Sequence, residues 1–321
     1  MGLSAAAGIT LQHGALSRGD GPGAPAAASR GPVATPNTDI PSESGGELTQ
    51  GEAPKADAVP KRAVLVVSAA PGKVPQGSLL CVAIDGVPST PEVTVKVFGQ
   101  KLRAFSIGPS SRVFVPVGVN QPPGVYMVDA TCADAGVIPA FFTVLPTEFP
   151  SSRITVTRET AQLTQDQARI QRDQALVRKA KSSTHSKPHW AEPFSLPLEA
   201  PVSTPFGHTR YVNGRESGRH WGIDFAADAG TPVRASNSGR VVVAATLHLS
   251  GNTVVIDHGL NLFTSYLHMR DIVVKEGGLV DKGAVIGHVG STGFSTGPHL
   301  HWSATCGSNS FDPSALLSIT Y

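Results

Sequence analysis

The 321-residue sequence predicts a mainly β protein with an N-terminal β-sandwich, one connecting helix and a strand-rich C-terminal domain. The composition supports this fold class, because glycine (34 residues) and proline (26) are frequent whereas aromatic residues contribute only 6%. Such a composition suits short strands joined by turns. In addition, short β-branched or alternating runs recur between turn residues, and a single segment shows helical periodicity.

Two segments precede the helix. Residues 1–62 are rich in Ala, Gly, Pro and Ser and lack periodicity, which predicts a disordered leader. From residue 63 onwards, runs such as AVLVVSAAP, SLLCVAI and RVFVPVGV predict six or seven strands within about 90 residues. This density favours an antiparallel sandwich over residues 63–150. No histidine lies in that range, so we expect a packing or binding module.

Residues 151–199 are predicted to form a connecting helix and a linker. The helical pattern covers residues 158–181, and Thr164 with Gln167 matches a capping box, so the regular helix is expected to start there. One apolar position per heptad makes a narrow stripe, which predicts a helix docked loosely on a domain. The apolar positions of this stripe are Leu163, Ile170 and Val177.

The charge balance argues against a nucleic acid partner, because the formal net charge is only +2 and charges of both signs are dispersed. No run approaches the roughly 20 apolar residues that a membrane-spanning helix needs, so no transmembrane segment is predicted. The first residues, MGLSAAAGITLQHG, lack a basic start and a firm apolar stretch, and they make an unconvincing signal peptide.

The three cysteines include no C-x-x-C pair, so a thiolate zinc site is not indicated. Cys81 and Cys132 fall in strand-like runs of one region. The sequence is equally compatible with a disulfide between them and with two buried free thiols. A disulfide would leave Cys306 unpaired.

Histidines concentrate in residues 201–321, which hold eight of the eleven in the chain. Within GRHWGIDFAA, His220 and Asp224 are four positions apart, a spacing that places both on one face of a strand or of a helix. The neighbours GI favour the strand. An imidazole and a carboxylate are two good zinc ligands. In PHLHW, His299 and His301 likewise share one strand face.

One imidazole of the HLH pair would complete a His, Asp, His set and leave a fourth position open, which is the arrangement of a catalytic zinc. The other imidazole would then lie near the water that it could deprotonate. His268, at the end of the run SYLHM, could orient that water or stabilise an oxyanion. Four further histidines are expected to be structural or solvated: His208, His248, His258 and His288.

These motifs carry a family resemblance. FGHTRYVNGRESGRHWGIDFAADAGTPV, GNTVVIDHG, YLHM and AVIGHVGSTGFSTGPHLHW occur in order and resemble the M23 peptidases, the lysostaphin-type or LytM-domain zinc endopeptidases. The resemblance runs through about residues 200–315, and it places an M23-like peptidase domain at residues 200–321. It implies a compact antiparallel β-domain with an open groove, which holds one zinc ion. The implied substrates are peptides of bacterial peptidoglycan, cut in the stem peptide or the cross-bridge.

The resemblance also assigns roles. By position, His220, Asp224 and His301 would ligate zinc, whereas His299 and His268 would be the catalytic histidines that act on the water and the oxyanion. The substrate implies a cell-envelope, periplasmic or secreted location.

Two aromatic residues are candidates for the substrate groove. The resemblance implies that Tyr211 corresponds to a groove residue near the metal. Trp221 departs from the family pattern, since a smaller residue is common after the first ligand. Strand alternation predicts that its side chain faces away from His220 and Asp224, where it would reshape the groove wall without affecting the metal.

Two alternative functions remain open. Some LytM-like domains have lost metal ligands and activate other wall enzymes instead, and this chain could be such a regulator or a wall-binding module; its complete set of ligand positions argues against this. The run VKEGGLVDKGAVIGHVGS also resembles biotinyl and lipoyl carrier domains. Those domains modify a lysine at a hairpin tip, and Lys275 and Lys282 fall elsewhere in the repeat.

Overall fold

The computed structural model describes residues 66–86, 93–132 and 136–319, so the predicted leader lies outside the described residues. The chain is mainly β, as the sequence predicts. No helix in these ranges is long and apolar enough to cross a membrane.

The N-terminal strands form two sheets that share one hydrophobic core of mostly valine side chains. The strands are β1 (Val66–Ala70), β2 (Lys73–Pro75), β3 (Leu79–Asp85), β4 (Thr94–Val97), β5 (Gln100–Arg103), β6 (Phe105–Ile107), β7 (Ser110–Pro116), β8 (Gly124–Cys132) and β9 (Gly136–Leu145). The sheet orders are β1-β3-β7-β6 and β2-β9-β8-β4-β5. One pairing departs from the antiparallel expectation: β2 runs parallel to β9, because the chain crosses from the first sheet to the second after β1 without forming a hairpin.

The connecting segment contains two helices, not one. Strand β10 (Ser151–Ile154) is followed by α1 (Arg158–Gln162), a 3-10 turn (Leu163–Gln165) and α2 (Gln167–Ala180).

The predicted capping box is wrong. Asp166, not Thr164, caps α2, and its carboxylate accepts a hydrogen bond of 3.0 Å from the backbone N–H of Arg169. Thr164 lies inside the 3-10 turn, and its hydroxyl donates back to the carbonyl of Ala161 at 2.8 Å. Thr164 lies two positions before the cap residue, inside the preceding turn, and therefore does not cap α2.

A large antiparallel sheet dominates the C-terminal half. The strands of this half are β11 (Val202–Thr204), β12 (Thr209–Val212), β13 (Arg215–Arg219), β14 (Ile223–Ala226), β15 (Pro232–Arg234), β16 (Gly239–Leu247), β17 (Gly251–Asp257), β18 (Leu262–Met269), β19 (Asp271–Ile272), β20 (Leu279–Val280), β21 (Val285–His288), β22 (His299–Cys306) and β23 (Asn309–Phe311), followed by a 3-10 turn (Pro313–Ser318). The large sheet has eight strands, in which β23 pairs with β22 beside the path β11-β14-β22-β18-β17-β16-β20. Two small sheets, β10-β12-β13 and β15-β21-β19, flank it.

Strand β22 shows how this sheet positions its polar residues. Leu300 and Trp302 are fully buried in the main core on one face of the sheet. By strand alternation, His301, Ser303 and Thr305 lie on the other face. Helix α2 covers part of that second face. One face of the sheet therefore packs into the core, and the other forms a partly covered groove.

The N-terminal sheets also contribute to the main core. Leu79 and Phe114 pack into it, and the Cys306 thiol donates to the carbonyl of Phe114 at 3.2 Å. Cys306, Cys81 and Cys132 are all free thiols, so the alternative of a Cys81–Cys132 disulfide does not hold in this structure.

Candidate metal centre and catalytic site

Three buried side chains converge on one point of the groove face. Asp224 on β14 and His301 on β22 are direct cross-strand partners, and His220 lies shortly before β14. The Asp224 Oδ1 atom lies 2.9 Å from His220 Nε2 and 2.8 Å from His301 Nδ1. The two imidazole nitrogens are 3.0 Å apart. Each residue therefore offers one ligand atom to the same small volume.

The donor chemistry fits a metal ion. Two imidazole nitrogens and one carboxylate oxygen, all within 4.8 Å of one another, are a ligand set that zinc accepts. His220 Nδ1 donates to the carbonyl of Pro205 at 2.9 Å, which fixes the tautomer and leaves the Nε2 lone pair in the cluster. Burial lowers the pKa of His301 to about 4, so this imidazole stays in the neutral form that binds metals.

Arg210 on β12 completes the surroundings of the carboxylate. Its Nη2 donates to Asp224 Oδ2 at 3.1 Å, and both side chains are nearly buried. Burial opposes the ionisation of Asp224, but hydrogen bonds with His220 and His301 outweigh it and hold the pKa of Asp224 well below its usual range. The carboxylate is thus ionised, with one oxygen in the metal cluster and the other on Arg210.

Gly222 allows the ligands to come together. A Cβ atom at this position would lie 2.6 Å from His301 Nε2 and 2.6 Å from the carbonyl oxygen of Trp302. Real Cβ atoms do not approach other atoms this closely. The chain between His220 and Asp224 can therefore lie against β22 only with glycine at position 222.

His299, at the start of β22, faces the same cluster. Its Nδ1 donates to the carbonyl of Gly297 at 2.8 Å, so Nε2 carries the lone pair. That Nε2 atom lies 4.0 Å from Asp224 Oδ1, outside hydrogen-bonding distance but beside the ligand atoms. An acceptor nitrogen next to a metal site is suited to remove a proton from water.

His268 lies on the far side of His299. Their ring centroids are 4.9 Å apart, and the ring of His301 is 6.1 Å away. His268 has a left-handed backbone (φ +64°), a conformation that non-glycine residues adopt at some cost and that is found at functional sites. Its Nδ1 donates to the carbonyl of Thr292 at 2.9 Å. Burial, then repulsion from His299, lowers the pKa of His268 to about 3.

The two groove candidates have different surroundings. Trp221 lines a cavity of about 100 Å³ that also contacts His301, and its ring packs against Phe206. Residues 220–222 precede β14, so the strand alternation that predicts the direction of the Trp221 side chain does not apply to them. The role of Trp221 in the groove wall stays a prediction. Tyr211 instead contacts Arg153 and Glu216. Its neighbour on β12, Arg210, is the residue that reaches the cluster.

Sequence reasoning missed Arg210 and the steric role of Gly222. Arg210 lies fourteen residues before Asp224, and the hairpin β12–β13 between them contains a register shift, so no simple spacing links the pair. The motif HWGID does contain a small residue between two ligands, which is a signal for close backbone approach.

Comparisons with known proteins match the segment of the chain that holds this cluster. The model of peptidase family M23 matches residues 218–313. The DD-carboxypeptidase/endopeptidase Mpg of Neisseria meningitidis serogroup B is 42% identical over 112 residues, which cover 35% of this chain and 26% of the relative. The peptidoglycan DD-endopeptidase ShyA of Vibrio cholerae is 49% identical over 83 residues, 26% of this chain and 19% of that protein. The chain thus spans about a quarter or less of these relatives.

A solved structure resembles more of the chain. A crystal structure described as a peptidase M23 from Pseudomonas aeruginosa is 25% identical, has a TM-score of 0.52, and covers 75% of this chain and 94% of its own. Taken together with the His220, Asp224 and His301 cluster in the matched segment, these similarities show that residues 218–313 form a domain of peptidase family M23.

Proposed function

We propose that this protein is a zinc metalloendopeptidase that hydrolyses peptide bonds of bacterial peptidoglycan. The observation that carries the proposal is the convergence of three ligand atoms beside an imidazole whose Nε2 is a free acceptor. In this proposal His220, Asp224 and His301 hold one zinc ion, and residues 200–321 form the catalytic domain. His299 and His268 are its catalytic histidines.

Zinc, when bound, would make a water molecule more acidic and polarise the carbonyl of the scissile bond. The protein supplies the proton transfers. His299 Nε2 accepts a proton from the water as the C–O bond forms, which gives a tetrahedral intermediate. The ring then returns that proton to the amine nitrogen as the C–N bond breaks. Asp224 stays ionised throughout because Arg210 and the two ligand imidazoles stabilise its charge.

His268 has a role that depends on its protonation. In its neutral form Nε2 is an acceptor, because Nδ1 donates its hydrogen to Thr292. A negative charge that develops on the substrate oxygen would favour the protonated ring, whose Nε2–H then donates to that oxygen. His268 and His299, with centroids 4.9 Å apart, are close enough to act on the same tetrahedral centre.

The names of the relatives support peptidoglycan as the substrate. ShyA is a peptidoglycan DD-endopeptidase and Mpg a DD-carboxypeptidase/endopeptidase, and the M23 family model matches this chain over the segment that holds the metal cluster. An enzyme acting on peptidoglycan peptides works in the cell envelope, in the periplasm or outside the cell. We therefore propose such a location for this protein.

The test is digestion of purified peptidoglycan, with mass analysis of the released peptides. Wild-type protein should release fragments that differ by hydrolysis of one peptide bond. His301→Ala should lose both activity and bound zinc. His299→Ala should keep stoichiometric zinc but lose about 100- to 10,000-fold in kcat/KM, which is the range for removal of a general base.

Two results would contradict the proposal. His299→Ala with wild-type activity would exclude this residue as the base. Wild-type protein that binds no stoichiometric zinc and releases no fragments would favour the regulatory function instead.

A further inference from the structure

A buried lysine lies on the same face of the sheet as the metal cluster. Lys181, the C-cap residue that follows α2, is 7% exposed. Its ammonium nitrogen lies 3.1 Å from the Thr305 hydroxyl and 3.4 Å from the Ser265 hydroxyl. It also lies 5.9 Å from the centre of the Phe263 ring. All three of these partners are neutral, so no counter-charge among them balances the ammonium group.

Acidic side chains do not compensate this charge. Lys181 forms no ion pair with any residue in the described part of the chain. Asp173 lines the same cavity but lies eight residues earlier on α2, about 12 Å along the helix axis. Its carboxylate already accepts a hydrogen bond from the backbone N–H of His248. A buried cation without an opposite charge is costly in proteins, so it is a candidate for binding an anion.

The surroundings of the ammonium group are lined with hydroxyls. Ser265 and Ser303 are cross-strand partners on β18 and β22, and Thr305 and Ser310 are partners on β22 and β23. All four line the cavity of about 100 Å³ that also contacts Lys181. Hydroxyl donors around an ammonium group match the acceptor oxygens of a carboxylate.

The cavity joins this cluster to the metal centre. His301 and Trp221 line the same cavity as Lys181. Thr305 follows His301 by four residues on β22, which places the hydroxyl beside Lys181 about 13 Å along the strand from the metal ligand. An extended peptide of about four residues covers this distance.

We propose that Lys181, together with the hydroxyls of Ser265, Ser303, Thr305 and Ser310, forms a subsite that binds a free carboxylate of the substrate peptide about four residues from the scissile bond. The subsite rests on the proposed peptidase function and specifies which peptides it favours. Burial lowers the pKa of Lys181 to about 8, so the amine is still mostly charged at neutral pH.

The test compares two forms of one substrate. Soluble wall peptides are prepared with free carboxylates or with those carboxylates converted to amides, and kcat/KM is measured for each. Wild type should prefer the free acid by about 10-fold or more, which is the expected contribution of a charge-assisted hydrogen bond in a buried site. Lys181→Met keeps the length of the side chain without its charge and should reduce this preference to about 1.

Lys179→Met is the matched control. Lys179 lies in the same last turn of α2 but is exposed, so the variant removes an equal charge outside the cavity. It should keep the wild-type preference. If Lys181→Met keeps that preference as well, or if wild type cleaves both substrates equally, the subsite is refuted.

A second measurement is independent of cleavage. In wild-type protein labelled at lysine, the side-chain NMR resonance of Lys181 should shift on addition of the free-acid peptides and stay in place with the amidated ones. This measurement decides the subsite even if Lys181→Met does not fold. The measurement also separates the two proposals. If wild type cleaves neither substrate, the peptidase function is refuted, and the shift of the Lys181 resonance then decides by itself whether the subsite exists.

Discussion

Replacing Gly222 by alanine tests whether close backbone packing holds the metal ligands in place. The new Cβ would lie 2.6 Å from His301 Nε2 and from the carbonyl oxygen of Trp302, whereas ordinary contact begins at 3.4 Å. The imidazole or the strand must therefore recede by about 0.8 Å. Gly222 does not have a positive φ, so the effect is steric and not a matter of backbone conformation.

The expected magnitudes follow from this displacement. A misplacement of about 1 Å in a catalytic site costs on the order of 100-fold in rate, so kcat/KM should fall by about that factor. Overpacking of this kind lowers the free energy of unfolding by about 1–3 kcal/mol. Zinc affinity should fall about 10- to 100-fold, as it does when the groups that orient a ligand are disturbed.

Three assays check these values: chelator competition for zinc affinity, denaturant unfolding for stability, and peptidoglycan hydrolysis for activity. Gly72→Ala is the matched control, because Gly72 also lacks a positive φ and a methyl group added there would meet no atom within 4 Å. Gly72→Ala should change zinc affinity and the rate of hydrolysis by no more than about two-fold, and the free energy of unfolding by no more than about 1 kcal/mol. Gly222→Ala with wild-type zinc affinity and activity would refute the reasoning.

Two further predictions concern Arg210 and His258. Arg210→Met should weaken zinc binding about 10- to 100-fold because Asp224 Oδ2 loses its donor, whereas Tyr211→Phe should leave it unchanged; equal affinity in both variants would contradict this. Burial lowers the pKa of His258 to about 4 from 6.5. The unfolded chain therefore takes up this proton first, and stability falls as pH drops from about 6.5 to 4, by about 3 kcal/mol. In His258→Gln, the free energy of unfolding measured with denaturant should lose this part of its pH dependence. If it depends on pH as strongly as in wild type, His258 is not buried as a neutral ring.

Much of the fold class was predictable because strand alternation is local. The spacing in HLHW places Leu300 opposite His299 and His301, and the structure buries Leu300 completely in the main core. Two histidines that share a strand face with an apolar residue between them must point the same way once that residue is buried. The geometry around Asp224 follows from the same register, since Asp224 pairs directly with His301.

Features that depend on distant parts of the chain were not predictable. Arg210 on β12 meets Asp224 on β14 through tertiary contact across a hairpin whose register is shifted. The cap of α2 is ambiguous in the sequence because two residues of suitable type, Thr164 and Asp166, compete for it, and a preceding 3-10 turn decides between them. Lys181 looks like one of several basic residues in a helical run, and its burial follows only from the docking of α2 on the sheet.

The carbonyl groups that hold three of the imidazoles have a consequence for mutagenesis. His220, His268 and His299 each donate Nδ1–H to a main-chain oxygen, that of Pro205, Thr292 or Gly297. A main-chain oxygen is retained whatever side chain is placed at its position. An alanine scan would therefore register little of this anchoring at Pro205, Thr292 and Gly297, although the orientation of the three rings depends on it. Thr292→Ala would be felt for a different reason, because its hydroxyl donates to the carbonyl of Met269 and accepts from the backbone N–H of Asn252. Insertions or deletions in the anchoring loops, which move the carbonyls themselves, would be far more damaging than any substitution there.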